Sequence, residues 1–340
     1  MSPGEGRESR GRLERWLVSW GWGALIASTV LILFGGATGS VAHLTLGRLD
    51  HAAAAAERDD PHWRLTDPNA GREVVPDAGI DALVVAEASA MLPENWPPDA
   101  RRSSAMTVSE PDWDVERALG RLEIQGSIGT PRRLDGPTAR ILRDELLRRS
   151  PALARARELV ALHRGRFGLV PGKLVYEYDD DVWDRRCEWR VSRLLEADVA
   201  VAASEGRFDD AVFSCRALLG VTRAIGDEPF GWSQERRMRL AGTSAHLAAW
   251  ILALGEPSPD ALAALQRDLL AERDWPWARH LLRGERASLF ELLRRRDARA
   301  RGLAAFPMRM LSSAHGAESL EWMAELYALA NHPEPDQLAA

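Results

Sequence analysis

Hydrophobic and polar positions along the chain fall into three regimes. From Trp16 to Gly47 run 32 residues without Asp, Glu, Lys or Arg, densest from Ala24 to Phe34. Residues 59–76 are rich in Pro, Asp and Gly and read as a linker. Beyond them apolar residues recur every three or four positions, the period of a helix with one buried face, and Gly or Pro breaks the runs. The pattern predicts helices over Ala78–Met91 (Asp77 as N-cap), from Ser109 to about Ile124, over Thr138–Ser150 and over Pro151–Arg164. Further helices are expected from about Trp183 to Glu205, from Phe208 to Ile225, and from a Ser233 cap to Leu254. Ser258-Pro259-Asp260 starts the next, to about Arg273. A long helix to about Arg301 and a last one near Ala317–Ala330 complete the set. Strand character is confined to residues 167–178, where Pro171-Gly172 suits a tight turn. The expected fold is all-α: antiparallel helical hairpins stacked as an irregular bundle or short α-solenoid, behind an N-terminal transmembrane helix.

The charge-free stretch is long enough for that role, since about 20 mostly apolar residues cross a bilayer core. Trp16, Trp20 and Trp22 cluster at its start, where indole rings favour the water–lipid boundary, and Arg7, Arg10, Arg12 and Arg15 precede it. Basic flanks stay inside, so the expected order is a cytoplasmic tail (1–15), a membrane anchor (16–46), a helical stalk and linker (47–76) and an extracytoplasmic helical domain (77–340). Localisation follows: a single-pass protein of a bacterial inner membrane. A cleaved signal peptide is the competing reading, with Ser40-Val41-Ala42 before the cut. The tryptophans, the total length and the helix-forming run from Leu44 to Arg58 favour an uncleaved anchor. Gly35 and Gly39 make a GxxxG pair, a small-residue face on which a second copy can seat as a homodimer.

Composition narrows the function classes. The net charge of −6 provides no basic surface for nucleic acid. Lys173 is the lone lysine, so basic charge is nearly all arginine. The run Arg294-Arg295-Arg296 with Arg299 and Arg301 reads as a solvated helix face.

Gly206-Arg207-Phe208-Asp209-Asp210-Ala211 resembles the turn of a tetratricopeptide hairpin, where Gly turns the chain and Ala permits close helix approach. A regular 34-residue repeat is not visible. On this hairpin Cys187 and Cys215 stand about 11 residues out of register, roughly 16 Å along the axis. A disulfide needs Cα atoms within about 7 Å, so no bridge is expected.

Five segments carry a wider likeness: Asp60-Pro61-His62-Trp63-Arg64-Leu65, Gly165-Arg166-Phe167, Gly206 to Ala211, Ile225-Gly226-Asp227-Glu228-Pro229 and Arg283-Gly284-Glu285-Arg286-Ala287. Through them residues 60–330 resemble an uncharacterised family of bacterial proteins with one N-terminal membrane span and an extracytoplasmic helical body. The likeness implies architecture and carries no activity or site residues. Pro335-Asp336-Gln337-Leu338 looks like a fresh helix start, so the chain is expected to stop short of such relatives.

No zinc, EF-hand, Walker, GxGxxG or GxSxG pattern occurs, so no metal, cofactor or catalytic residue is nominated. The eight His are scattered, and Asp179-Asp180-Asp181 lacks the spacing of a calcium loop. Three charged residues do stand on apolar stripes: Asp198 among Val191, Leu194, Leu195, Val199 and Ala202; Arg286 among Leu282, Leu289 and Leu293; and Glu285 between Leu281 and Leu292. Charges so placed are paired or reach the surface along their stems. They are read as buried ion pairs that set helix register. Acid–base catalysis would require Asp198 and Glu285 to share a cleft. The function expected is a membrane-anchored interaction or assembly protein whose partner is another envelope protein; the alternative is an envelope hydrolase with a site not recognisable from sequence.

Overall fold

Leu194 and Leu195 are adjacent in sequence and wholly buried, yet they lie in different hydrophobic clusters. Successive residues on a helix point about 100° apart, so a helix that buries both is covered on more than one side. That helix is the centre of its own compact unit.

The computed structural model describes residues 48–61, 63–64, 72, 81–97, 114–120, 132–167, 186–299 and 306–330. In chain order these form α1 (48–59), α2 (Asp81–Ala90), α3 (114–120), α4 (Gly136–Arg148), α5 (Ser150–Arg157) with a 3-10 turn (Glu158–Ala161), α6 (Arg186–Ser204), α7 (Phe208–Ile225), α8 (Gly231–Leu254), α9 (Pro259–Arg273), α10 (Trp277–Arg299) and α11 (Phe306–Ala330). The described residues are helical, with turns and loops between and no strand. None of their helices is long and apolar enough to cross a membrane. The expected anchor over 16–46 with Gly35 and Gly39, the Asp77 cap and the strand-like 168–178 lie outside the described residues.

The chain divides into two compact units. In the first, Met1–Asp59 with Leu292–Trp322, α1 buries Leu49, Ala52, Ala53 and Ala56 at helical spacing. Arg48 Nη2 lies 3.1 Å from Glu321 Oε2 of α11. Gly316 of α11 faces Leu293 so closely that a Cβ would sit 2.2 Å from its Cδ1.

The second unit, Asp60–Glu291 with Met323–Ala340, is built on the α6–α7 hairpin. Its turn is made by sequence chemistry. Gly206 takes φ +79, its N–H bonds Ala203 O at 3.1 Å, and Arg207 N–H bonds Ala202 O at 2.9 Å. This is the Schellman closure, which satisfies the last carbonyls of α6 and needs a residue free to adopt positive φ. Leu194, Leu219, Ile251 and Leu265 join one core with α3 and α4; Val191, Leu195, Leu218 and Val221 join the other with α2 and α5. Val199, Ala202, Val212 and Cys215 are buried as expected, whereas Phe208 is only partly so. Its ring instead lies against Gly255, where a Cβ would come within 2.1 Å of the ring.

Several boundaries differ from expectation for local reasons. α4 starts two residues early because Asp135 caps it, accepting from Thr138 N at 2.8 Å. The run expected to reach Arg164 leaves α-helix at Arg157 and tightens into the 3-10 turn. α11 begins at Phe306, earlier than the residue 317 that apolar spacing suggested. Ser233 does not cap α8, which begins at Gly231 behind Phe230.

Arginine does much of the joining between helices. Arg190 on α6 donates to the carbonyls of Leu92 (2.8 Å) and Trp96 (2.9 Å), and to Ser89 Oγ at 3.1 Å. Arg193 donates to Leu119 O at 2.8 Å. Carbonyls left over at helix ends need donors, and a guanidinium supplies several in one plane.

Candidate functional site

The segment between α7 and α8, residues 226–231, gathers a network of buried polar groups in the second unit. Gly226 ends α7 at φ +63, and a Cβ there would lie 2.1 Å from the carbonyl oxygen of Gly165. Both conditions call for glycine. Asp227 pairs with Arg72, whose Nε is 2.6 Å from Oδ1, and Arg72 Nη1 donates to Phe167 O at 2.9 Å. Arg72 therefore ties the turn to the 165–167 segment.

The next residues face inward. Glu228 is wholly buried and accepts from Ser233 Oγ at 2.6 Å. Gln234 Nε2 donates to the carbonyls of Glu228 (2.7 Å) and Gly226 (3.3 Å), while its Oε1 accepts from Trp275 Nε1 at 3.3 Å. Arg237 donates to Gly226 O at 3.0 Å, forks onto Glu272 and stacks on Trp275 at 3.7 Å. Ser233, expected as a helix cap, thus serves a buried carboxylate. The missing cap comes from α10: Glu285 Oε1 accepts from Gly231 N at 3.1 Å. A carboxylate there also suits the positive end of the α8 dipole.

Four consecutive residues of α10 serve two purposes. Gly284 and Glu285 meet the 226–231 turn; Arg283 and Arg286, three apart and so on one helix face, meet Asp60. Arg283 Nε lies 2.9 Å and Arg286 Nη2 3.3 Å from Asp60 Oδ2. Arg286 has no exposed surface and sits between the rings of Trp63 (5.0 Å) and Tyr327 (4.7 Å). Tyr327 Oη donates to Asp60 Oδ2 at 3.5 Å and accepts from Arg279 Nε at 3.2 Å. Aromatic faces attract a desolvated guanidinium, which is why a cation can be buried there.

His280 stacks on Trp275 with ring centroids 5.1 Å apart. Burial pushes its pKa down to about 4; Arg237, Arg279 and Arg283 push the same way against Asp227. The ring is neutral at ordinary pH.

Of the three charged residues singled out in the sequence, Glu285 and Arg286 belong to this hub and Asp198 does not. Asp198 is buried on α6 and binds Arg157 (Nη2 2.6 Å, Nε 3.0 Å) and Ser214 Oγ. Asp198 and Glu285 take different partners, Arg157 and Ser214 for one and the Gly231 amide for the other. Each charge on an apolar stripe is met by a partner. Arg157, Arg72, Glu228 and Gln234 were not nominated as site residues from sequence; Asp227-Glu228 entered only as part of a segment of likeness.

Cys187 and Cys215 are not joined by a disulfide, in line with the register argument. Burial, with Asp268 adding to it, pushes the Cys215 thiol up to about 12. Its Sγ donates to Ser244 O at 3.3 Å. Among the described residues no group of three or more His, Cys, Asp or Glu could hold a metal ion.

Chemically, the hub is a set of ties. Asp60, Asp227, Glu228, Glu272 and Glu285 each receive a guanidinium, hydroxyl or amide from another segment. Four of the five segments singled out in the sequence for an expected likeness end here: Asp60 and Trp63, Gly165 and Phe167, Gly226 to Pro229, and Arg283 to Arg286. Comparison of the chain with protein-family models, with curated proteins and with solved structures gives no match.

Proposed function

We propose that this chain is a membrane-anchored interaction or assembly protein, its helical body held outside the cytoplasm by the apolar stretch of residues 16–46 and offered to another envelope protein. The anchor argument rests on the 32 charge-free residues behind Arg7 to Arg15. The body, in this reading, stacks its hairpins in the manner of tetratricopeptide repeats around α6–α7.

One observation carries the choice of scaffold over hydrolase. The carboxylates of the hub are engaged by groups of their own chain, whereas acid–base catalysis uses a carboxylate turned toward a substrate. Side chains bound this way hold segments in register.

Two measurements test the reading. A reporter active only outside the cytoplasm, fused at residue 340, should be active, and activity of a cytoplasmic reporter there would reverse the topology. Crosslinking in intact cells followed by detergent extraction should recover the chain with a stoichiometric envelope protein. Recovery of the chain alone, with hydrolytic activity in the purified sample, would favour the enzyme.

A further inference from the structure

One buried charge stands apart from the hub. Asp81, at the start of described α2, has no exposed surface, and neither of its carboxylate oxygens accepts a hydrogen bond of good geometry. The nearest cation is Arg223 of α7, whose Nε lies 3.9 Å from Asp81 Oδ2 and likewise has no hydrogen-bond partner. At that separation the two attract, but neither recovers the hydrogen bonds it gave up on leaving water.

The other charged groups around α2 are committed elsewhere. From α5, Arg155 pairs with Glu87 and Glu158, and Arg157 with Asp198. From α6, Arg190 serves Ser89 and the carbonyls after α2, Arg193 takes Glu196 and Leu119 O, and Glu188 takes Arg236. Arg223 itself spends Nη2 on Leu162 O (3.2 Å), with Nη1 3.9 Å from Asp268, which Arg216 holds at 2.7 Å. Arg237 is taken by Glu272 and Gly226 O. Among the described residues Arg223 is the one cation within 4.0 Å of the Asp81 carboxylate.

We infer that Asp81 is a proton-operated latch: protonated, it seats α2 against α7 and the 162–167 segment; ionised, it loosens that seat. The main-chain N–H of Asp81 bonds Arg164 O at 3.2 Å, next to the Gly165 that lies against Arg223 and Gly226. The latch therefore bears on the segment that Arg72 also ties into the hub.

Burial raises the Asp81 pKa to about 7, against the pull of Arg223, Arg237 and the Arg164 amide. Burial also pushes Arg223 down, so the pocket disfavours charge of either sign. Between the open-chain value of 3.8 and about 7 the closed state keeps a proton that the open state has released. Closure therefore weakens as pH rises through that window and levels off above it. Going from pH 6 to 8, about one unit lies inside the window, so opening of α2 should rise about tenfold.

Hydrogen exchange of α2 amides in the full-length chain, corrected for the intrinsic pH dependence of exchange, reads this directly. The wild type should lose about tenfold in protection from pH 6 to 8, while α4 and α9 amides keep theirs. Asp81→Asn should hold α2 equally protected at both values. A flat wild-type profile for α2, or an Asp81→Asn profile that follows the wild type, would overturn the latch. Should Asp81→Asn fail to fold, the wild-type profile decides alone.

Discussion

A Cβ built on Gly284 would fall 1.0 Å from the carbonyl oxygen of Pro229. The backbone of α10 thus lies directly on the turn between α7 and α8. No rotation of a side chain relieves such an overlap, because both partners are main chain.

Gly284→Ala should therefore be costly, although alanine is the better helix former by about 1 kcal/mol. Overpacking typically costs about 1–3 kcal/mol and more where nothing can move aside, so a net loss of at least 1 kcal/mol is expected. Gly242→Ala, on α8 where a Cβ would meet nothing within 4 Å, should be neutral or stabilising. Thermal melting of the two full-length variants, side by side, checks the contrast.

Asp60 tests the reading of the hub as structural. It faces Arg283 and Arg286, the latter wholly buried, and removing one partner strands the others. Asp60→Ala should cost about 3–5 kcal/mol, measured by denaturant unfolding. A loss below 1 kcal/mol would show that the arginines find other partners and that the tie is dispensable.

Truncation on the hairpin should separate core from surface. Leu195→Ala and Leu218→Ala remove wholly buried side chains and should each cost about 2–5 kcal/mol. Arg294 is exposed on α10, and Arg294→Ala should change stability by less than about 1 kcal/mol. If Arg294→Ala proved as damaging as the leucine changes, the basic run would belong to a packed or partner-bound surface.

His280 should give stability an acid limb. Its folded pKa of about 4 lies below the usual 6.5, so the unfolded chain takes up the proton first as pH falls. The stability it contributes is present above about 6.5 and is lost as pH drops toward 4. His280→Gln removes that loss, so the gap between wild type and variant should shrink from pH 7.5 to 4.5. A constant gap across that range would mean that the ring takes up its proton as readily in the fold as in the unfolded chain. Asp81 acts with the opposite sign, so each effect is read against its own variant.

The helices were legible in sequence because their signals are local. Gly206 and Ser258-Pro259 act through their own turns, and α7 and α9 lie where those residues put them. The apolar stripe of α6 was visible, as was the oddity of Asp198 within it. Its partner Arg157 was not, because it stands 41 residues away on a helix that reads as ordinary amphipathic sequence. Ser233 misled for the same reason: its neighbours suit a cap, but Glu228 claims the hydroxyl and Glu285, 54 residues from Gly231, caps the helix instead.

The sequence by itself determined the helical class and the hairpin turn at Gly206, since each depends on residues within a turn or two of one another. Only the tertiary structure decided that α6 and α7 would be covered on two sides, that Arg72 and Glu285 would converge on the turn that holds Asp227, and that the Asp81 carboxylate would be buried without a hydrogen bond. Those outcomes depend on which distant segment supplies the partner, and a side chain's charge says that it needs one without saying where it will be found.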